Sequence, residues 1–257
     1  MKQEKATILY KYLDADGGLS MLSNRSLLFA NPSQLNDPFD CHPALIDFTN
    51  VPLEKCRIWS PEVISLLESD KYKRYRENAY VCSLSKVHDS LLMWSYYTGH
   101  KGVCIGLDME KTRQYLSRMS GMFIGCQEWA VQYKDIVEKP DCFRTIEDLF
   151  KYQMATKAKE WAHEQEVRLF SYAPSPTHMR LFSWQNDKDG PIDWKEVRAF
   201  LEIGGECFNS LYLGVNVNEK KKKKLIQFAR HINPNINIYQ MTIDPDAFRL
   251  KEQLIEA

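Results

Sequence analysis

A change of hydrophobic period within one continuous stretch of chain is the feature that most constrains the fold. Apolar residues recur at helical spacing from Ile146 to Trp161, which predicts the longest helix of the chain. Residues 164–170 follow directly and alternate between polar and apolar side chains, which predicts a strand. The chain therefore needs a fold in which helices and strands mix closely.

The remaining segments support the same fold class. Strand patterns occur at residues 8–12, 79–85, 103–107, 129–133, 198–203, 211–215 and 236–243. Helical patterns occur near residues 61–73, around 91–97 and at 219–232, and the Pro-, Ser-, Asp- and Gly-rich residues 171–193 predict a surface loop. Because no regular alternation of strand and helix appears, we expect one α+β domain over residues 1–257, with mixed, mainly antiparallel sheets and flanking helices.

Composition excludes several classes of protein. The 257 residues are 44% hydrophobic, enough for a core, and 34 basic side chains balance 34 acidic ones, so no general electrostatic footprint for nucleic acid appears. Seven cysteines, none spaced Cys-x-x-Cys, indicate reduced thiols rather than a disulfide framework or a zinc site. Since no apolar stretch approaches a membrane span and the first residues are polar, we expect a cytoplasmic protein that does not enter a membrane.

The first candidate cluster lies in the loop Asn-Asp-Pro-Phe-Asp at residues 36–40. Asn36, Asp37 and Asp40 offer hard oxygen ligands for Mg²⁺, and they are equally able to hydrogen-bond a ribose or a neighbouring backbone. The alternative is a structural turn in which Asp37 caps a helical turn that begins at Pro38.

The second cluster combines a strand end with an aromatic turn. Ser83 and Ser85 end one predicted strand, and Trp94 and Tyr97 then share a helix face that could stack on a flat ring, with His100 or Lys101 near an anionic group. Packing is the alternative, because aromatic pairs at this spacing are common in cores and His100 could satisfy a buried carbonyl.

The third cluster is the polar start of the strand at residues 164–170. If the strand has begun by Glu164, then Glu164, Glu166 and Arg168 point to one face. Two carboxylates raise each other's pKa, while Arg168 favours the ionised form, which suits a general base or an anchor for a hydroxyl group. A solvated strand face with a Glu-Arg ion pair is the alternative.

At these positions the sequence resembles a bacterial family known as domain of unknown function 2971. The resemblance covers nearly the whole chain and rests on an ordered set of short motifs. These are Lys11-Tyr12, residues 36–40, Ser-x-Ser at 83–85, Met-Trp-Ser-x-Tyr and His-Lys-Gly within 93–102, Trp-x-x-Glu-x-Glu-x-Arg at 161–168, and Leu-Tyr-Leu-Gly at 211–214. The family name implies no activity.

A looser resemblance is to ADP-ribosyltransferases, which fold as a split β-sandwich. They carry Arg or His on the first strand, Ser-Thr-Ser or Tyr on a middle strand, and Glu, often as Glu-x-Glu, on a later one. Residues Tyr10-Lys11-Tyr12, Ser83-Leu84-Ser85 and Glu164-Gln165-Glu166 look like that series in the same order, with Lys11 or Tyr10 in place of Arg or His. The resemblance implies NAD as substrate.

The same resemblance implies a role for each residue. Glu166 would hold the hydroxyl of the nicotinamide ribose and stabilise an oxocarbenium-like transition state. Glu164 would orient or deprotonate the acceptor, and Trp94 or Tyr97 would stack on nicotinamide. The remaining predicted cofactor contacts are Tyr10, Lys11, Tyr12, Asn36, Asp37, Asp40, Ser83, Ser85, His100 and Arg168.

Three functions are compatible with the sequence. An NAD-utilising enzyme explains the glutamate pair together with the aromatic wall, and a stress or phage-defence role would suit such a bacterial protein. A metal-dependent hydrolase or nuclease would instead use Asn36, Asp37 and Asp40 with Glu164 and Glu166. A non-catalytic nucleotide-sensing or protein-interaction module would use the same pocket without turnover. The expected partner is a small-molecule nucleotide, and the sequence indicates no particular protein or nucleic-acid acceptor.

Overall fold

The fold is α+β, as the sequence predicts. The computed structural model of the chain describes residues 7–47, 60, 62–63, 76–77, 79–119, 126–140, 146–171, 179–182 and 198–255. The predicted helix near residues 61–73 and the cysteines at 56 and 142 lie almost entirely outside these residues. The five cysteines within them are free thiols, and no helix within them is long and apolar enough to cross a membrane.

Thirteen strands occur in the described part of the chain. In chain order they are β1 (Ile8–Leu13), β2 (Ser26–Phe29), β3 (Tyr80–Ser85), β4 (Val103–Asp108), β5 (Gln127–Ala130), β6 (Gln132–Lys134), β7 (Thr156–Ala158), β8 (Glu166–Ser171), β9 (Met179–Phe182), β10 (Arg198–Glu202), β11 (Phe208–Leu213), β12 (Asn237–Ile243) and β13 (Leu250–Leu254).

The α-helices of the described residues are interspersed among these strands. They are α1 (Ala15–Asn24), α2 (Leu91–Met93), α3 (Met109–Leu116), α4 (Ile146–Ala155) and α5 (Glu219–Ile232). A π-helical turn, Trp94–Thr98, continues α2, and a 3-10 helix, Lys159–Glu164, precedes β8. Helix α5 begins and ends where its amphipathic pattern predicts, and its Asn218 cap accepts hydrogen bonds from two backbone N–H groups.

One large sheet organises the molecule. Its eight strands follow the order β13-β12-β11-β4-β1-β3-β8-β5, and every neighbouring pair is antiparallel except β11 with β12. The main apolar core fills the space between one face of this sheet and the helices α1, α3 and α5, together with residues of β2 and β10. Strand β10 lies between β2 and β9 in a three-stranded sheet, and β6 pairs with β7.

The large sheet is nearly divided between β1 and β3. These two strands share one paired position, Tyr10 with Ser85, whereas β1 pairs with β4 and β3 pairs with β8 over six positions each. Beyond the shared pair the strands separate, and the Lys11 Nζ donates a hydrogen bond of 2.9 Å to the Ser83 carbonyl across the gap. An opening in the sheet therefore lies directly beside two of the predicted motifs.

Three predictions about the elements were wrong. The helix expected to reach Trp161 ends at Ala155 and is followed by β7, because residues 156–158 pair with β6 instead of continuing the helix. The strand expected from Glu164 begins at Glu166. The predicted loop at 171–193 contains β9, which pairs with β10.

Candidate functional site

A cavity lies where β1 and β3 separate. Its volume is about 160 Å³, and it is open to solvent on one side. Most of the predicted site residues line it, namely Tyr10, Lys11, Tyr12, Asn36, Asp40, Ser83, Ser85, Tyr97, Glu164, Glu166 and Arg168. Four side chains that the sequence did not indicate complete the lining: Leu35, Leu84, Met93 and Lys157.

Glu166 and Arg168 form the centre of the buried charge in this cavity. They are two residues apart on β8, so both side chains project to the same face of the sheet. Arg168 donates from Nε and Nη2 to the two carboxylate oxygens of Glu166 at 2.8 and 3.1 Å. The same Nη2 donates to Asp40 at 2.7 Å, and Nη1 donates to the Met154 carbonyl at 2.8 Å. Arg168 is only 1% exposed, so its charge is compensated within the protein.

Glu166 is held as an ionised hydrogen-bond acceptor. Burial alone would raise its pKa, but the charge and hydrogen bonds of Arg168, then the charge of Lys157 and a hydrogen bond with Ser83, lower its pKa to about 2. Such a group is a weak general base at neutral pH because its proton affinity is low. It is well suited to accept a hydroxyl hydrogen bond or to stabilise a developing positive charge.

Glu164 reaches the cavity by a route that differs from the predicted one. It ends the 3-10 helix, and Gln165 adopts a left-handed conformation with φ 44° before the strand begins. The Ser85 hydroxyl donates to the Glu164 carbonyl at 2.6 Å and so fixes this turn. The turn at Gln165 therefore brings the side chains of Glu164 and Glu166 into the same cavity. The alternation of side chains along a strand does not, because Glu164 lies outside β8.

Two side chains bind the Glu164 carboxylate. The Tyr97 hydroxyl donates to one oxygen, and the Lys157 Nζ donates to the other at 2.6 Å. Burial is the largest cause that raises the pKa of Tyr97, and the hydrogen bond and charge of Glu164 raise it further. Tyr97 therefore stays protonated and acts as a donor, while Asn36 also hydrogen-bonds with it.

Of the predicted site residues in the loop at 31–40, two line the cavity and one stabilises a turn. Asn36 and Asp40 line the cavity, and the left-handed Cys41, with φ 55°, follows Asp40. Asp37 does not line the cavity. It is buried, and its Oδ1 accepts a hydrogen bond from the Phe39 N–H at 2.9 Å, which is the structural turn that the sequence left open.

Trp94 and His100 do not line this cavity. Trp94 is fully buried, donates from Nε1 to the His88 carbonyl at 2.8 Å, and packs edge-on against Tyr12 with a centroid separation of 5.5 Å. No ring face of Trp94 is left for a ligand, so Tyr97 is the aromatic residue of this segment at the site. His100 lines a different cavity, near the turn between β12 and β13.

Lys157 is the main residue that the sequence did not indicate. It falls inside the predicted helix, where a lysine at an intermediate position is expected to reach solvent, and no local pattern distinguishes it. Its position follows from the pairing of β7 with β6, which is a tertiary contact.

The carboxylates of the site are already paired with cations. Within the described ranges, no group of three or more His, Cys, Asp or Glu side chains could hold a metal ion. A divalent ion at Asp40 or Glu166 would have to displace or repel Arg168 and Lys157. The donor set therefore fits a metal centre poorly.

The comparisons with known proteins concern one segment of the chain. No curated protein and no solved structure matches the sequence significantly. Residues 93–169 match a family model, and they include Tyr97, Lys157, Glu164, Glu166 and Arg168 from the cavity. Over residues 93–169 the chain is similar to the family described as "Protein of unknown function (DUF2971)", which supports the resemblance that the motifs indicated in this part of the chain.

Proposed function

We propose that the chain is an NAD-utilising enzyme that resembles ADP-ribosyltransferases and either transfers ADP-ribose or hydrolyses NAD. One observation carries this proposal. The three strands whose motifs look like the transferase series are consecutive neighbours, β1-β3-β8, and their side chains meet in one cavity at the point where β1 and β3 separate. The separation of β1 from β3 resembles the split in the β-sandwich of ADP-ribosyltransferases.

The size of the cavity fits one ring of a larger ligand. A cavity of roughly 150 Å³ accommodates a benzene-sized molecule, so about 160 Å³ suits the nicotinamide ring. The rest of the dinucleotide would then extend from the open side. Tyr97 and Tyr10 supply aromatic surface for the ring, and Leu84 and Met93 supply apolar surface.

Lys11 is the group best placed to meet a phosphate. Among the described residues no carboxylate lies within ion-pair distance of Lys11, whereas Lys157 and Arg168 are both paired. Lys11 stands where the transferases have Arg or His, and a lysine offers a point charge in place of a planar fork. The Lys11 ammonium group is therefore better suited to bind one phosphate oxygen than to bind two oxygens at once.

Glu166 has the properties that the key step requires. Departure of nicotinamide leaves positive charge on the ribose ring, and a buried, ionised carboxylate stabilises that charge. The same carboxylate can accept a hydrogen bond from a ribose hydroxyl. Glu164 can orient an attacking nucleophile once its hydrogen bond with Tyr97 is exchanged for one with that nucleophile.

Nicotinamide release from NAD tests the proposal. The wild type is compared with Glu166→Gln and with Glu160→Gln, a matched control at an exposed position outside the cavity. We expect release by the wild type and by Glu160→Gln that is equal with Mg²⁺ and with EDTA, and a loss of roughly 100-fold or more in Glu166→Gln.

The other outcomes favour the two alternatives. Release that requires Mg²⁺ would favour the metal-dependent hydrolase. NAD binding without release, kept in Glu166→Gln, would favour a non-catalytic nucleotide-sensing module. A wild type that does not bind NAD would contradict the proposal.

A further inference from the structure

Lys157 is a buried cation at the meeting point of three carboxylates. Its Nζ lies 2.6 Å from Glu164 Oε2, 3.5 Å from Glu166 Oε2 and 3.8 Å from Asp40 Oδ2. Its side chain is 4% exposed, so water contributes little to the hydration of its charge. The three carboxylates therefore stabilise the charge of Lys157 in place of water.

Trp161 completes the surroundings of this ammonium group. The Lys157 Nζ lies 4.7 Å from the centroid of the Trp161 ring, within the range of a cation–π contact. Trp161 is the first residue of the Trp-x-x-Glu-x-Glu-x-Arg motif, and it does not line the cavity. Its contact with Lys157 gives this tryptophan a role that the proposed reaction alone does not explain.

Two of the three cations that line the cavity, Arg168 and Lys157, contact its carboxylates. Arg168 binds both oxygens of Glu166 and one oxygen of Asp40. No described contact joins Arg168 to Glu164, whose carboxylate is bound by Tyr97 and Lys157. Among the described residues, Lys157 is thus the only cation within ion-pair distance of both Glu164 and Glu166.

Removal of Lys157 would leave one carboxylate without charge compensation. A buried carboxylate that loses its cation either takes up a proton or moves toward water, because the cost of an uncompensated buried charge is large. In either event the carboxyl groups of Glu164 and Glu166 are no longer held in fixed positions relative to each other. Arg168 is already engaged with Asp40 and with the Met154 carbonyl and is not free to replace Lys157.

We infer that Lys157 is a positioning residue that holds the side chains of Glu164 and Glu166 in one fixed arrangement, with Trp161 covering its ammonium group. The inference rests on the proposed function only for which reaction the pair serves. The charged and titratable groups that face Lys157 are those of the cavity: Asp40, Glu164, Glu166 and Arg168, with Tyr97 acting through Glu164.

Three variants test the inference: Lys157→Met, Lys157→Arg and Lys159→Met. Lys159 is the matched control, because it lies two residues along the chain, is 62% exposed and pairs with the exposed Asp135. The first readout is the carboxyl titration of protein labelled with ¹³C at glutamate, followed by NMR, which needs no ligand. The second is the pH profile of nicotinamide release.

In Lys157→Met we expect a glutamate that protonates roughly one pH unit or more above its wild-type midpoint, with the acid limb of the release profile moved by a similar amount. Lys157→Arg should restore much of the wild-type titration, and Lys159→Met should match the wild type throughout. Equal titrations for Lys157→Met and Lys159→Met would overturn the inference.

The two proposals fail in different ways. Absence of nicotinamide release from every protein contradicts the proposed function, while the NMR titration still decides the role of Lys157. If Lys157→Met does not fold, the double variant Lys157→Met/Glu164→Gln replaces it. The inference then predicts that the double variant folds, because the uncompensated charge is gone, and a double variant no more stable than the single one would overturn it.

Discussion

Two ion networks of similar composition lie in different parts of the large sheet, one in the cavity beside β1, β3 and β8 and one at the turn between β12 and β13. In the cavity, Glu166 is bound by Arg168 and Lys157. At the turn between β12 and β13, Asp244 is bound by Arg249 at 2.8 Å and by Lys251 at 2.7 Å. In both networks the cations lower the pKa of the carboxyl group.

The exposure of the cations separates the two networks. Arg249 and Lys251 are 68% and 48% exposed, so water and salt screen their charges. The cavity cations are almost completely enclosed, and enclosure of charge costs free energy that ion pairing only partly recovers. The Asp244 network, with a buried carboxylate and exposed cations, fixes a turn, whereas the cavity network maintains a charged surface that an apolar core would not provide.

The largest expected effect comes from removal of the central cation of the cavity. Arg168→Met leaves Glu166 and Asp40 without their shared partner, so we expect a loss of about 3–5 kcal/mol in the free energy of unfolding. Chemical denaturation at neutral pH measures it. Arg249→Met is the comparison, and a loss of similar size in both variants would break the contrast between the networks.

Acid is the second way to separate the networks. The pKa of Glu166 lies at about 2 in the folded protein against an ordinary value of 4.5, so its contribution to stability is complete above pH 4.5 and falls as the pH drops toward 2. Glu166→Gln should be less stable than the wild type at neutral pH and should lose less stability over this window. An acid slope that is unchanged in Glu166→Gln would contradict the assignment.

A smaller effect is expected when one neutral donor of the cavity is removed. Tyr97→Phe deletes the hydrogen bond to Glu164 and keeps the ring, so we expect nicotinamide release or NAD affinity to fall by roughly tenfold, the value of one hydrogen bond to a charged group. His100→Ala serves as control, because His100 lines another cavity. An equal loss in both variants would mean that the site has been placed wrongly.

The smallest effect is expected at the Asp244 network, whose cations are exposed. Arg249→Met should change the unfolding transition by an amount close to the limit of detection, and high salt should remove even that difference. Denaturation of the wild type and this variant at low and high salt measures it. A large, salt-independent loss would show that the Asp244 turn is held as firmly as the cavity.

The sequence predicted most of the sheet because local pattern and tertiary pairing agree there. Strands β3, β4 and β12 and helix α5 lie within a residue or two of the segments that periodicity indicates. Strand β13 was not predicted, because four of its five residues are exposed and show no alternation. Residues 156–158 follow a helical pattern, yet they pair with β6, so a tertiary contact overrides the local preference.

The candidate site was predictable in its membership but not in its geometry. Motifs from five separate segments meet in the cavity, and the sequence named Glu166, Arg168 and Asp40. It could not place Trp94 in the core, because an aromatic pair at helical spacing suits either a ligand or packing. Lys157 and the left-handed Gln165 were missed because neither carries a local signal, although both decide how Glu164 enters the cavity.

The most direct test of the central claim is a crystal structure with an NAD analogue whose glycosidic bond cannot be cleaved. We expect the nicotinamide ring in the cavity between β1 and β3, a ribose hydroxyl within hydrogen-bond distance of Glu166, and a phosphate near Lys11. An analogue bound elsewhere, or a metal ion held by Asp40 and Glu166, would contradict the proposal that this cavity binds NAD through its own side chains.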